Sequence, residues 1–253
     1  MHPGPLGDRT AQQIALVSAV LLAWSLAMIW LCWSGGAAQL DYPTYLQHWR
    51  RLVQGGDPYS PSNTYGPLYT VLGVLLPWGT LAPKLFMVGA LLLANAALVV
   101  ALVRERGLSP LLIIYLLAIP TNVLAVQVGV VYGLNDALVA ALLVLAVLLR
   151  HRGHLIFAGV AIGLAALTKY YPLALLPFFA LNGRRLNWSL IVSGIVVFGV
   201  GLAVGIAVWG TGPIDAILYN SDRGPKLLSI LAALTSTFGD ERAVSSFDTT
   251  PIS

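Results

Sequence analysis

Asp41, Tyr45 and His48 are spaced so that a carboxylate, a phenol and an imidazole share one face of a short helix. A carboxylate so placed can take a proton from an attacking hydroxyl, and an imidazole beside it can orient the acid or a hydroxyl of the substrate. The plainer account makes Asp41 a helix cap and His48 a satisfied core residue. Lys169 stands between two apolar segments in Ala165-Ala-Leu-Thr-Lys-Tyr-Tyr-Pro172. A cation inside a membrane is costly and marks a functional site unless it snorkels to the interface. Arg223 and Lys226 flank a Gly224-Pro225 turn, either as ordinary surface bases or as part of a cationic cluster. A carboxylate and fixed cations beside lipid suit a lipid-phosphate substrate. Asn135 and Asp136, with Gln127 and Tyr132, interrupt an oily stretch, where Asp136 also suits a helix cap. Asp57-Pro-Tyr-Ser-Pro61 reads as a turn, and a rigid loop accounts for Asp57 and Tyr59 without chemistry. Tyr65-Gly-Pro-Leu68 follows, with Pro67 suited to the first turn of a helix.

The elements that must position these residues are apolar. Of 253 residues, 58% are hydrophobic and 9% charged, against about 25% charge in a soluble domain. That excludes a water-soluble enzyme, a disordered chain and a large soluble domain. The net charge of +4 comes from bases scattered between apolar runs, so nucleic acid is not a partner. The single cysteine, Cys32, can neither pair within the chain nor supply a metal site, and no metal or cofactor is nominated. Uncharged apolar runs fall at 14–33, 85–103, 111–131, 137–149, 155–168, 171–181 and 188–209, which predicts an all-α integral membrane bundle of about seven spans. The pair divided at Lys169 is a helical hairpin or one long interrupted segment. The run at 67–81 is short and carries Pro, Gly and Trp, as an interfacial or re-entrant helix does.

The first run reads as an anchor rather than a cleaved leader. Arg104, Arg106, Arg150, Arg152, Arg184 and Arg185 crowd three short loops beside one acid, Glu105, which predicts that these loops are cytoplasmic. Trp30, Trp33, Trp78 and Trp209 then form a belt at the outer interface. The expected division is a cytoplasmic N-terminus at 1–13, a multi-span module at 14–210 with an outer loop at 34–84, an outer loop and interfacial helix at 211–238, and a disordered tail at 239–253. In the first outer loop, Leu46, Trp49 and Val53 make an apolar face suited to the headgroup region.

Asp41-x-x-x-Tyr45, Gly55-Gly-Asp-Pro-Tyr59 and Tyr65-Gly-Pro-Leu68 resemble the first outer loop of glycosyltransferase family 87, polyprenol-phosphate-dependent membrane enzymes of the GT-C class. Ala158-Gly-x-x-x-Gly163 through Lys169 to Pro172 and Pro177 is similar to that family's Gly-Leu-Ala to Lys to Pro segment, with fainter similarity in 222–229. Gly66 stands where the family more often has a second proline, and the chain is shorter than the family's usual length. The resemblance implies a GT-C bundle of seven helices, two interfacial helices in the first outer loop, and a cavity at the outer leaflet. It implies as donor a hexose such as mannose on polyprenyl phosphate, as acceptor a lipid or glycan, and as catalytic acid Asp41. Chemically, Asp41 would be the base of an inverting transfer, with Lys169, Arg223 and Lys226 facing the departing phosphate. A retaining reaction would need a second acid, Asp57 or Asp136. Two other classes fit the composition: a transporter or flippase using Asp136 and Lys169 as a relay, and a non-catalytic membrane subunit.

Overall fold

The computed structural model describes residues 5–37, 41–60, 63–121, 135–183 and 185–222. Its elements are helices α1 (Pro5–Ser34), α2 (Tyr42–Val53), α3 (Pro67–Val71), α4 (Ala82–Arg106), α5 (Pro110–Thr121), α6 (Asp136–His151), α7 (Leu155–Thr168), α8 (Leu176–Ala180), α9 (Trp188–Trp209) and α10 (Gly212–Asp222), with strands β1 (Leu181–Asn182) and β2 (Arg185–Leu186). Short 3-10 turns at Leu72–Trp78 and Tyr171–Leu175 follow α3 and precede α8.

Three helices have the length and composition to cross a membrane: α1 over Ala11–Ser34, α4 and α9. The remaining apolar helices are shorter, so the described residues are those of a helical membrane protein without fixing seven spans. The expected run at 111–131 coincides with α5 as far as Thr121, and its remainder lies outside the described residues. The tail at 239–253 lies outside them as well.

Each long element packs on the next in the series α1, α4, α6, α7, α9. At the centre, α7 buries Ala158, Gly159, Ala161, Ile162, Gly163, Ala165 and Ala166, and small residues bring its backbone close to α9. A Cβ on Gly159 would lie 2.2 Å from the carbonyl oxygen of Leu190, and one on Gly163 2.7 Å from that of Gly194. At 14 residues, α7 is roughly 21 Å long, short of a hydrocarbon core of about 30 Å. Its C-terminus presents Lys169.

The chain reverses at Lys169, as the hairpin reading requires. Leu176 and Ala180 of α8 join Ala158, Ala161 and Ile162 of α7 in one core cluster, and the Arg150 guanidinium donates to the carbonyl of Leu181. The short β1–β2 hairpin, with Leu181 opposite Leu186, departs from an all-α expectation. Gly183 at its tip has φ +61°, a conformation that glycine adopts freely.

Three contacts gather the basic loops at one end of the bundle: Arg150 to Leu181, His151 Nε2 to Glu105 at 2.8 Å, and the Leu108 amide to Gln13 Oε1 at 3.2 Å. The segment 41–81 covers the opposite end. There α3 begins at Pro67, as expected, and the 3-10 turn after it ends at Gly79. Trp30, Trp33 and Trp78 are exposed, consistent with an interfacial belt. The α2 face is a correction: Leu46 and Trp49 are buried in the protein rather than laid in headgroups, and only Val53 is exposed. Trp49 is drawn inward because its Nε1 donates to the carbonyl of Tyr69 at 2.9 Å, which satisfies the indole while its rings pack.

Gly159→Ala should push α7 and α9 apart and destabilise the bundle by about 1–3 kcal/mol, the usual cost of overpacking. Thermal unfolding in detergent checks this, and an unchanged midpoint would mean that the two backbones are not in contact.

Candidate functional site

The segment 63–70 seats itself on the end of α7. The Gly66 amide donates to the Thr168 carbonyl at 3.1 Å, closing one of the open carbonyls of the helix's last turn. A Cβ on Gly66 would lie 2.1 Å from the Leu167 carbonyl oxygen, so this approach admits only glycine. Gly66 is thus required by the packing here; a proline would also lack the donated N–H. On the other side of this seat, the Tyr170 hydroxyl lies 3.3 Å from the Tyr65 carbonyl oxygen and 3.1 Å from that of Pro213, tying the loop to the start of α10.

Around it stands a cluster of tyrosines. Tyr45 and Tyr65 hydroxyls are 3.1 Å apart, and Tyr69 packs against both rings with centroids 5.1 and 4.6 Å away. Burial, then the neighbouring Tyr65, raises the Tyr45 phenol far above its ordinary range, and burial does the same to Tyr69. These phenols stay protonated and do not serve as bases. The Asp41 charge reaches both of them. Asp41 occupies the N-cap position of α2 but makes no capping bond with its side chain, and its carboxylate is exposed.

Lys169 does not snorkel away. Its Nζ lies 2.8 Å from both oxygens of Asp136 and 6.0 Å from the centre of the Tyr65 ring. Asp136 begins α6 without capping it; Asn135 holds the N-cap position, also without a side-chain cap bond. The Asn135 side chain is fully buried and finds no partner for its Nδ2 or Oδ1 among the described residues, where the Tyr69 hydroxyl is likewise buried and unpartnered. Beside Lys169 is a cleft of about 160 Å³ lined by Thr64, Tyr65, Lys169, Tyr170 and Tyr171, which admits one small polar group.

Asp41, Tyr45, Tyr65, Asn135, Asp136 and Lys169 therefore lie at one end of the bundle. His48 is buried at 3% exposure, and its Nδ1 has no partner among the described residues. Burial and the nearby Arg51 hold its pKa down at about 4, so it stays neutral. Asp57 accepts from the Tyr59 amide at 2.9 Å, as expected of a turn, and borders a separate groove of about 310 Å³ shared with Tyr59, Trp209 and Asp215. Burial pushes the Tyr59 hydroxyl up to about 12. Arg223 and Lys226 lie outside the described residues.

The aromatic cluster and the bridge made by Tyr170 are absent from the sequence reading. Tyr42, Tyr45 and Trp49 recur at helical spacing, a signal available in the sequence. Nothing local foretells that the Tyr170 hydroxyl joins two loops.

The described residues of this helical membrane protein thus gather an acid, a cation and phenols at one end of the bundle, away from the basic loops. The chain belongs to glycosyltransferase family 87, whose sequence profile matches residues 63–235. The matched segment holds Tyr65, Asn135, Asp136, Lys169, Arg223 and Lys226, while Asp41, Tyr45, His48 and Asp57 precede it. No curated protein and no solved structure matches the chain.

A histidine that is neutral when folded but charged when unfolded takes up a proton on unfolding. Stability at this end should be complete above the ordinary histidine pKa of 6.5 and fall as pH drops from 6.5 towards 4, by at most roughly 3 kcal/mol. The thermal midpoint should be lower at pH 5 than at pH 7, and His48→Gln should flatten that difference; an unchanged pH response in the variant would remove His48 as the cause. Gly66→Ala should unseat the loop, at a cost of about 1–3 kcal/mol, and speed proteolysis within 55–66. Wild-type resistance would mean that the close approach is not needed.

Proposed function

We propose that this membrane glycosyltransferase transfers a hexose of the mannose type, with inversion, from a polyprenyl-phosphate donor to a lipid or glycan acceptor. The active site faces the non-cytoplasmic side of a multi-pass GT-C bundle of seven spans. The observation that carries this reading is the series Tyr45, Tyr65 and Lys169 at the end opposite the basic loops, with Asp41 at the N-cap of the helix that presents Tyr45. By the positive-inside tendency, those loops belong in the cytoplasm.

In the proposed step, the acceptor hydroxyl oxygen attacks the anomeric carbon while its proton passes to the Asp41 carboxylate. The bond from that carbon to the phosphate oxygen breaks, and polyprenyl phosphate departs with the electron pair. Lys169 supplies a fixed cation for the developing charge, held in place by Asp136 and by the Tyr65 ring. The Tyr45 hydroxyl donates to the Tyr65 oxygen, which orients the Tyr65 hydroxyl for donation to a sugar or phosphate oxygen. The groove bordered by Asp57, Tyr59, Trp209 and Asp215 offers aromatic faces and carboxylates to an acceptor sugar.

The Asp136–Lys169 ion pair also favours a second reading, in which the same residues relay a substrate across the membrane. The two part on product formation: transport moves radiolabelled donor into liposomes with no new glycoside.

Membranes carrying the protein should glycosylate an acceptor when given polyprenyl-phosphate mannose. Asp41→Asn should lower turnover by about 100-fold or more while leaving insertion intact, in line with the loss of a general base. Lys169→Gln should lower it by a smaller factor. Normal turnover by Asp41→Asn would take the base role away from Asp41.

A further inference from the structure

We propose that the cavity of about 640 Å³ at the basic end of the bundle is a binding site for the headgroup of an anionic phospholipid, remote from the transfer site. The cavity opens where the end of α6, the start of α7, α8 and the turn into α9 meet. Its polar mouth carries Arg150, His151, Asn182 and Asn187, and its flank carries Val147 and Phe178. A phosphodiester above two acyl chains has the same division of polarity.

The polar groups retain capacity for a ligand. One guanidinium N–H of Arg150 is used on the Leu181 carbonyl, and a guanidinium has five. Asn187 accepts from the Ser189 hydroxyl at 2.6 Å through Oδ1, which leaves its amide hydrogens. His151 pairs with Glu105, the single acid of the three basic loops, so the field at the mouth is set by arginine. An arginine pairs with a phosphate through two parallel bonds, which a water-filled surface pocket would not reward to the same degree. Below the mouth, Phe178 is 69% exposed and Val147 43% exposed, an apolar flank suited to acyl chains. Basic pockets between helix ends on one face of a membrane bind lipid headgroups for these reasons.

The test is lipid retention by the full-length protein in native mass spectrometry, with dioleoyl phosphatidylglycerol and dioleoyl phosphatidylcholine as probes. Phosphatidylglycerol should be retained preferentially. Asn182→Asp, which sets a carboxylate at the mouth on an exposed two-residue strand, should reduce that retention about tenfold, somewhat more than one basic residue is worth at an anionic surface. Arg150→Gln should act in the same direction. Arg152→Gln removes a charge from the same end without lining the cavity and should leave retention near the wild-type level. Equal retention of the two lipids would overturn the proposal. So would an Arg152→Gln loss as large as that of Asn182→Asp, which would reveal only diffuse surface charge. Glycerol 3-phosphate should not compete at concentrations where the lipid saturates; if it did, the site would take a soluble phosphate instead. None of these readings depends on glycosyl transfer.

Discussion

The backbone contact of Gly66 with the last turn of α7 is what the rest of the outer end rests on. The last turn of a helix leaves carbonyls with no partner inside the helix, and in apolar surroundings that is expensive. The Gly66 amide satisfies one of them, and the absence of a side chain lets the loop come close enough to do so. Once the loop is seated, Pro67 starts α3, Tyr69 meets Tyr45 and Trp49, and Tyr65 is brought over Lys169. The seat for the loop and the chemistry of the site are one arrangement.

Electrostatics then decides which groups remain available. Lys169 and Asp136 are both part-exposed and paired, so each charge is balanced and held in position without the full penalty of burial. The tyrosines around them are kept protonated by burial, and His48 is kept neutral by the same effect. Asp41, by contrast, is exposed, makes no capping bond and forms no ion pair among the described residues. Asn135 and Tyr69 contribute buried polar atoms that lack partners within the described residues, a cost that native proteins tolerate mainly at working sites.

Much of this was legible from the residues. Apolar runs located α4, α7 and α9 within a few residues, because unbroken hydrophobicity over a helix length leaves little else. The reversal at Lys169, the start of α3 at Pro67 and the gathering of the basic loops also follow from local sequence and charge. The number of spans does not, since helices of 12 to 16 residues are ambiguous by length. Spacing alone could not show that Trp49 faces inward, because an apolar stripe serves a lipid surface and a protein core equally well. The choice between capping and ion pairing for Asp136 was hidden for a similar reason: its partner lies 33 positions later. The β1–β2 hairpin escaped notice although Asn182-Gly183 is a turn signal, because the segment was read only for charge.

The separation in sequence between Gly66 and Thr168 sets the order in which the molecule can be made. A ribosome delivers the outer loop about a hundred residues before the carbonyl on which it sits. Until α6 and α7 are inserted, the loop has no foundation, and its stacked rings stay open to solvent or chaperones. Assembly of the outer end is therefore a late event in biogenesis, and a nascent chain halted before α7 would display the acid and the aromatics but no site.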